Sequence, residues 1–350
     1  MAIDPIFDTN VLVHVVRNLK LPSQFLVDTF FPNVIEFETE YVSIDVDVGL
    51  RRMAPFVSPL VEGKPVESRQ YQTNSFKPAY IKDLRTPDFR KPVMRAIGER
   101  IAGSLSPEVR IQQNLAYEME DQVQMIQRRL EWMAAQALMN GSYQIAGDGF
   151  EAVTLNFNRN SALTVALTGG STWSAGNIGT NQAPGSVSPS ANIETWSQLV
   201  LQQSGRAPTD IIFTTGSWAL FLLDLRVQQS VWYQRSGDSK IEFGGGVQTG
   251  AVYKGEWGGY RLWVYNDWYI NSSGSEVAMI PGNMVIMSSP ALEGVRAFGA
   301  IMDEDFSYGA LAYAPKTWVE KNPSRRHLLM QSAPVVVPSR VNAALAATVA

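Results

Sequence analysis

Residues 106–140 carry the pattern that most constrains this chain. Val109, Ala116, Met119, Val123, Ile126, Leu130, Met133 and Ala137 follow one another at helical steps, with Gln112 as the only miss. That spacing places them on one face of an amphipathic helix. Ser106 suits the N-cap and Pro107 the first helical position. Asn140-Gly141 supplies the stop. About 33 residues at 1.5 Å rise make a rod of roughly 50 Å. Globular helices average about 11–12 residues, so this rod should be the backbone of the molecule.

The flanking segments read differently. Residues 1–40 hold short apolar groups between Pro5, Pro22 and Pro32, and are expected to form an arm with one short helix lying on something else. Val42, Ile44, Val46 and Val48 alternate with Ser43, Asp45 and Asp47, which predicts a half-buried strand. Gly63-Lys64-Pro65 predicts a turn. A return strand follows over about Glu67 to Lys77, with Tyr71 and Phe76 as its only large apolar residues. Arg51, Arg52, Glu62, Lys64, Glu67 and Arg69 spread both signs of charge along this hairpin. Such a hairpin is either a solvated loop or an arm reaching onto a neighbouring subunit.

Strands are expected within residues 143–168, where Val153, Leu155 and Phe157 alternate. Residues 169–191 are Gly, Ser, Asn, Thr and Pro, with Trp173 as the bulky exception, and predict a mobile linker and a domain boundary. Beyond them come a helix from Ile193 to Gly205, a buried strand over Asp210–Thr214 and a helix over Trp218–Leu225. A strand set between helices points to an α+β fold. Gly244, Gly245 and Gly246 predict a flexible loop; strands follow at Leu262–Tyr265 and Met284–Met287. Trp318 to Val337 reads as extended, with Pro323, Pro334 and Pro338 confining it to sheet edges.

Composition narrows the function classes. The chain has 350 residues, enough for two domains or one large composite, and 45% of them are hydrophobic. Only 18% are charged, against roughly 25% in typical soluble proteins. With 9 Trp and 12 Tyr, much of the surface is expected to lie under partner chains. A net charge of -4 excludes a strongly basic nucleic-acid binder. The absence of Cys excludes disulfides, thiolate zinc sites and cysteine nucleophiles, and fits a reducing cytoplasm. Met1 to Lys20 does not read as a signal peptide, because Asp4 and Asp8 stand where basic residues belong. No apolar run approaches the roughly 20 residues of a bilayer span, so a soluble protein without a membrane partner is expected.

The search for chemistry returns little. His14 and His327 stand outside any H-E-x-x-H helix, and no G-x-S-x-G elbow or phosphate-binding loop is present. Gly244–Gly246 lacks the strand–glycine–helix context of a dinucleotide site. Asp45 and Asp47 share a strand face and Asp303-Glu304-Asp305 cluster; both read as solvated carboxylates rather than cation ligands. Asn271-Ser272-Ser273 matches a glycosylation sequon, which carries no meaning without secretion. Arg51-Arg52, Arg128-Arg129 and Arg325-Arg326 are isolated pairs, and the aromatic residues from Trp257 to Tyr269 read as sheet core or interface. No catalytic residue, cofactor or metal is expected. A large core, one very long helix and a long polar hairpin without a catalytic constellation describe a structural assembly protein.

Particular residues then carry a resemblance. The hairpin reads Ala54-Pro55-Phe56-Val57-Ser58-Pro59-Leu60-Val61-Glu62-Gly63, followed by Phe76-Lys77-Pro78-Ala79-Tyr80-Ile81-Lys82. The middle reads Asp210-Ile211-Ile212-Phe213, Ser217-Trp218-Ala219-Leu220-Phe221 and Tyr253-Lys254-Gly255-Glu256-Trp257-Gly258. The end reads Trp318-Val319, Pro323, Arg325-Arg326 and Gln331-Ser332-Ala333-Pro334. In this order, from about Phe25 to Pro338, they resemble the lambda-type major head (capsid) proteins of tailed bacteriophages.

That resemblance implies the α+β Hong Kong 97-type capsid fold. It implies an N-terminal arm at 1–40, an extended loop at 41–83 and a peripheral domain with the spine helix at 84–190. An axial domain at 191–289 and peripheral return strands with a tail at 290–350 would follow. The implied function is self-assembly, as pentamers and hexamers, into the icosahedral head around a double-stranded DNA genome. Implied partners are further copies of the chain, a separate scaffolding protein, a portal protein, a decoration protein and packaged DNA held by non-specific contact. The implied location is the virion, after assembly in the bacterial cytoplasm. Assembly contacts are expected at Arg51, Arg52, Glu62, Lys64, Glu67 and Arg69, and Gly244–Gly246 would lie near the five- and six-fold axes. Lys64 and Lys77 occupy places where some shells crosslink, yet no crosslink is expected. The competing readings are an encapsulin-like cellular compartment of the same fold and, from another class, a carbohydrate-active enzyme using a carboxylate pair.

Overall fold

The computed structural model describes residues 12, 24–39, 41–47, 53–60, 62–63, 71–86, 106–147, 149–179, 185–232, 240–241, 247–248, 250–321 and 324–350. The spine helix runs Pro107–Asn140. The Ser106 side chain accepts from the Val109 N–H at 3.4 Å. Gly141 ends the helix in the left-handed region at φ 64°, where a glycine meets no Cβ penalty. The last carbonyls are covered by the Arg159 guanidinium, which donates to Leu138 O at 2.6 Å and also to Met139 O. A cation at a helix C-terminus also complements the helix dipole. From Met119 onward burial follows the predicted face. Between Met133 and Met139 it extends all round except at Gln136, because other layers close over the helix end.

The largest sheet has eight strands. From one edge the order is Val247–Gln248, Ala251–Trp257, Tyr260–Tyr265, Asp210–Phe213, Met284–Ser288, Leu345–Thr348 and Thr164–Ala166, with Lys240–Ile241 also paired to Ala251–Trp257. Its side chains alternate between two cores, as the period of two in a strand demands. Ile212, Trp263, Tyr265, Ile286 and Ala346 point into the core shared with the spine helix. Ile211, Phe213, Leu262, Val264, Val285, Met287, Leu345 and Ala347 point into a second core, beneath the helices Pro189–Ser204 and Thr215–Phe221. The sheet is thus the middle of three layers.

Three smaller sheets surround the spine. Asn33–Glu36 pairs in parallel with Gly294–Phe298, which pairs antiparallel with Pro334–Pro338. Ser324–Ser332 lies between Ala314–Lys321 and Ile81–Arg85. Ser142–Gly147 and Phe150–Asn156 form a hairpin. Pro334 and Pro338 sit on an edge strand, as expected, whereas Ser324–Ser332 is central; the expectation of edge positions throughout fails there. Pro323 lies outside the described residues.

Several expectations need correction. The segment read as a mobile linker is built into the second core where it is described. Trp173 is fully buried, stacks on Trp196 with centroids 5.7 Å apart, and donates its backbone N–H to Val349 O. Strand pairing also disagrees with divisions at 190/191 and 289/290, because Thr164–Ala166 and Leu345–Thr348 both belong to the large sheet. The helix expected over Trp218–Leu225 is two helices, Thr215–Phe221 and Leu225–Trp232. Buried Asp224 divides them and accepts from Arg226 N–H, Ser188 Oγ and Ser190 N–H. One carboxylate thereby caps two helix starts.

The arm does not lie on something foreign over its second half. Its helix, Phe25–Phe30, buries Phe25, Leu26, Val27 and Phe30 in this chain's own core. Leu12 packs with Met119, Val123, Ile126, Leu328 and Met330. The approach is close: a Cβ at Gly294 would stand 2.3 Å from Phe30 O.

Glu131 joins the layers. It is on the spine helix and 1% exposed. Its two carboxylate oxygens accept from Leu26 N–H at 2.9 Å and Val27 N–H at 3.0 Å, and the Tyr265 hydroxyl donates to it at 3.0 Å. Burial pushes its pKa up from 4.5 to about 7, against the pull of those three donors, and Asp267 adds to the rise. Between those two values the folded chain holds a proton that the unfolded chain has lost. Folding stability from this group is therefore full below pH 4.5 and falls as pH rises toward about 7. Glu131→Gln should remove that slope, seen by comparing urea unfolding midpoints of the two chains from pH 4.5 to 8. It should also cost about 1–3 kcal/mol, because one acceptor becomes an amide donor facing a backbone N–H. An unchanged slope in the variant would assign the pH dependence elsewhere.

Candidate assembly surfaces

The extended loop begins where Val42–Asp47 pairs antiparallel with Tyr71–Phe76, Val42 opposite Phe76. Beyond that ladder the described loop residues form no regular strand, and a turn falls at Pro59-Leu60. The turn expected at Gly63-Lys64-Pro65 falls mostly outside the described residues. Gly63 carries no turn, and Lys64 and Pro65 lie outside the described residues. Pro59 fixes its own φ and so favours the turn where it stands.

Three large apolar side chains stand out from this loop: Met53 is 88% exposed, Phe56 99% and Leu60 96%. They contribute almost nothing to the core of the single chain. Scattered exposed apolar residues are ordinary, but three within eight positions of one projecting loop mark a contact surface. The loop's charges are legible in the sequence; the exposure of Met53, Phe56 and Leu60 is not, because it depends on the fold.

Of the residues expected to make assembly contacts, Glu62 is described and exposed. Arg51, Arg52, Lys64, Glu67 and Arg69 lie outside the described residues, as do Gly244, Gly245, Gly246 and His14. His327 stacks on Trp318, with centroids 5.1 Å apart, and lies 3.2 Å from Glu320 Oε2 and 3.3 Å from Thr86 Oγ1. Asp303 is more than a solvated turn residue. It accepts from Lys316 Nζ at 2.8 Å and Gln331 Nε2 at 2.9 Å, which hold its carboxyl below the usual range against partial burial. Among the described residues no group of three acidic or imidazole side chains is placed to hold a metal ion, and no helix is long and apolar enough to cross a membrane.

Other apolar groups are exposed on the described surface. Trp268 and Ile270, at 50% and 73%, share one face of the hairpin between Trp268–Ile270 and Glu276–Ala278. Val34 and Ile35 are exposed on the edge strand Asn33–Glu36.

Comparison with known proteins gives a consistent set. The sequence profile of the family described as phage major capsid protein E matches residues 8–349. The major capsid protein of Escherichia phage lambda is 28% identical over 313 residues, 88% of this chain and 89% of that one. The P21 prophage-derived major head protein of Escherichia coli O6:H1 (strain CFT073) is 28% identical over 327 residues, 92% of each chain. The crystal structure of a prophage protein of E. coli CFT073, assigned to its capsid, superposes with TM-score 0.75 and 20% identity over the full length of both chains. A phage-related protein from Bordetella bronchiseptica RB50 superposes with TM-score 0.55 and 12% identity over 99% of this chain and 96% of that one.

Replacing Met53, Phe56 and Leu60 together by Ser should leave the single chain's unfolding free energy within about 0.5 kcal/mol of the parent, since these side chains are exposed there. The same replacement should abolish higher-order association, read by sedimentation velocity. Equal association by parent and variant would remove this loop from the contact surface.

Proposed function

The chain belongs to the phage major capsid protein E family, and from that premise we propose how its parts build a head. It is a major capsid protein of the Hong Kong 97-type fold, its copies assemble into the shell, and its place is the virion. The arm serves from 1–40 and the extended loop from 41–83. The spine helix with its three small sheets forms the peripheral domain. The large sheet, including its strands at 164–166 and 345–348, forms the axial domain, with Gly244–Gly246 at the five- and six-fold axes.

The exposure of Met53, Phe56 and Leu60 carries this reading. A loop that projects nearly bare apolar side chains gains stability only when a neighbour covers them. Each such contact is weak enough for errors to dissolve, while many together close a shell. Pentamers and hexamers are the closed rings from which the icosahedral head is made. The mixed charges at Arg51, Arg52, Glu62, Lys64, Glu67 and Arg69 set the register of the loop on its neighbour, since like charges brought opposite one another are repelled. Expansion on maturation is a switch between two packings of the same interfaces.

The role is structural, without a catalytic step. A separate scaffolding protein guides assembly in the bacterial cytoplasm, a portal protein occupies one vertex, and a decoration protein clamps the expanded shell without covalent crosslinks at Lys64 or Lys77. A net charge of -4 suits a container from which DNA must leave, because a strongly basic lining would hold the phosphates.

Electron microscopy and sedimentation of the overproduced chain test the reading. Closed shells, tubes or ring-shaped capsomers are expected, alone or with the scaffold, and a monodisperse monomer under both conditions would refute it. Reversing the charges of Lys64 and Arg69 together should reduce the yield of closed shells about tenfold, which is about 1.4 kcal/mol of contact energy. An undiminished yield would remove those charges from register setting.

A further inference from the structure

Two short strips of chain join the extended loop to the body of the subunit. One leads from Asn33–Glu36 to Val42–Asp47, the other from Tyr71–Phe76 to Ile81–Arg85. The second strip is Lys77-Pro78-Ala79-Tyr80, and it belongs to no strand ladder. Pro78 lies close on Gly299, where a Cβ would stand 2.8 Å from Pro78 Cγ. The strip also borders a cleft of about 380 Å³, lined by Pro78, Tyr80, Ile145, Val153 and Met302 among others. Packing leaves it room on that side, so its course depends on the bonds it makes. The Tyr80 hydroxyl accepts from Met302 N–H at 2.9 Å and donates to Gln331 Oε1 at 3.1 Å. Gln331 is 1% exposed, and its Nε2 donates to Asp303 Oδ2 at 2.9 Å. Asp303 in turn accepts from Lys316 Nζ at 2.8 Å. The direction of each bond is forced. An ionised carboxylate only accepts, so Gln331 turns its amide nitrogen to Asp303 and its oxygen to Tyr80. The hydroxyl proton then goes to Gln331, and the hydroxyl oxygen is left to receive Met302 N–H.

We propose that Tyr80 is a positioning residue whose hydroxyl fixes the direction in which the extended loop leaves the subunit, and through it the angle between neighbouring subunits. The angle rests on the shell reading, whereas the direction of the loop is a property of the single chain. The ladder at the loop's root pairs Val42–Asp47 with Tyr71–Phe76. Such a strand is about 20 Å long, so a turn of about 10° at its root moves its far end by about 3.5 Å. A displacement of that size is enough to break a hydrogen bond or an apolar contact at the far end. Removing one oxygen from Tyr80 takes away both bonds at once and leaves Met302 N–H and Gln331 Oε1 without their partner. The relay also ties the root of the loop to Ala314–Lys321 and Ser324–Ser332, through Lys316 and Gln331.

The chain has no Cys, so introduced thiols take spin labels without background. One label would go on Thr73→Cys, in the ladder opposite Asp45. The other would go on Glu194→Cys, an exposed position on the helix Pro189–Ser204. Double electron–electron resonance on the full chain, diluted with unlabelled chain, then reads the loop's direction as a distance within one molecule. Tyr80→Phe should at least double the width of that distance distribution. Gln331→Glu sets two carboxylates against each other and should broaden it likewise. Adding Asp303→Asn to Gln331→Glu restores a donor to that bond with its direction reversed, and should return the parental width, where a merely structural defect would deepen. Should Tyr80→Phe fail to fold, this pair decides. An unchanged width in Tyr80→Phe, or a double variant no narrower than Gln331→Glu, would overturn the positioning role. Produced with the phage's other head proteins, Tyr80→Phe chains should give shells with at least twice the parental spread of diameters by electron microscopy. Shells as uniform as the parent's would overturn the link to subunit angle. No shells from the unmodified chain would overturn the shell reading and that link together, while the resonance result still decides the loop's direction.

Discussion

A single buried carboxylate holds the layers of this molecule together. Glu131 comes from the middle of the third-to-last turns of the spine helix, yet its hydrogen bonds go to the arm helix and to a central strand of the large sheet. Burying a carboxylate is costly unless donors meet it. Here two backbone N–H groups, unpaired at the start of a short helix, and one hydroxyl offset part of that cost. Each partner is incomplete without the other: the arm helix would leave its first N–H groups buried and bare, and Glu131 would lack its acceptor role. The aromatic contacts around them, Phe25 against Trp263 at 4.7 Å and Tyr265 at 6.1 Å, pack the same joint. The arm helix Phe25–Phe30 is thereby tied to both the spine and the large sheet.

The extended loop follows the opposite rule. Met53, Phe56 and Leu60 are left almost wholly exposed by the chain that carries them, while the core beside the loop is filled. The contrast separates two uses of hydrophobic surface in one protein. Alternating strands and an encircled helix complete the subunit, and a projecting loop leaves its contribution open for a neighbour. Low overall charge belongs to the second use, since a surface destined to be covered carries fewer ions.

Periodic signals were the most legible. The spine helix, with Ser106 and Gly141 as its ends, could be read because every turn repeats the same demand, and the four buried residues of Asp210–Phe213 could be read as a short strand. The arm's seat could not, since nothing in residues 24–31 announces that Glu131, more than a hundred positions away, will accept their N–H groups. Trp173 misled for a related reason: one aromatic anchor among Gly, Ser and Thr looks like a linker until Trp196 is brought beneath it. Asp224 is an N-cap residue type and accepts from Arg226 N–H, but its second role, at the helix start after Ser188, is distant in sequence and leaves no local signal. At the candidate surface, the charges were noticed and Met53, Phe56 and Leu60 were not, because exposure is a property of the fold and not of residue type.

The strand Leu345–Thr348 lies inside the large sheet, between Met284–Ser288 and Thr164–Ala166. It is the last of the eight strands to be synthesised, and Ala346 and Ala347 fill both cores at once. On the ribosome the sheet stays split along that seam until translation has passed Thr348, with two rows of backbone groups waiting for one strand. A chain that stops short of Leu345 leaves Met284–Ser288 with an open edge and Thr164–Ala166 without the strand it pairs with.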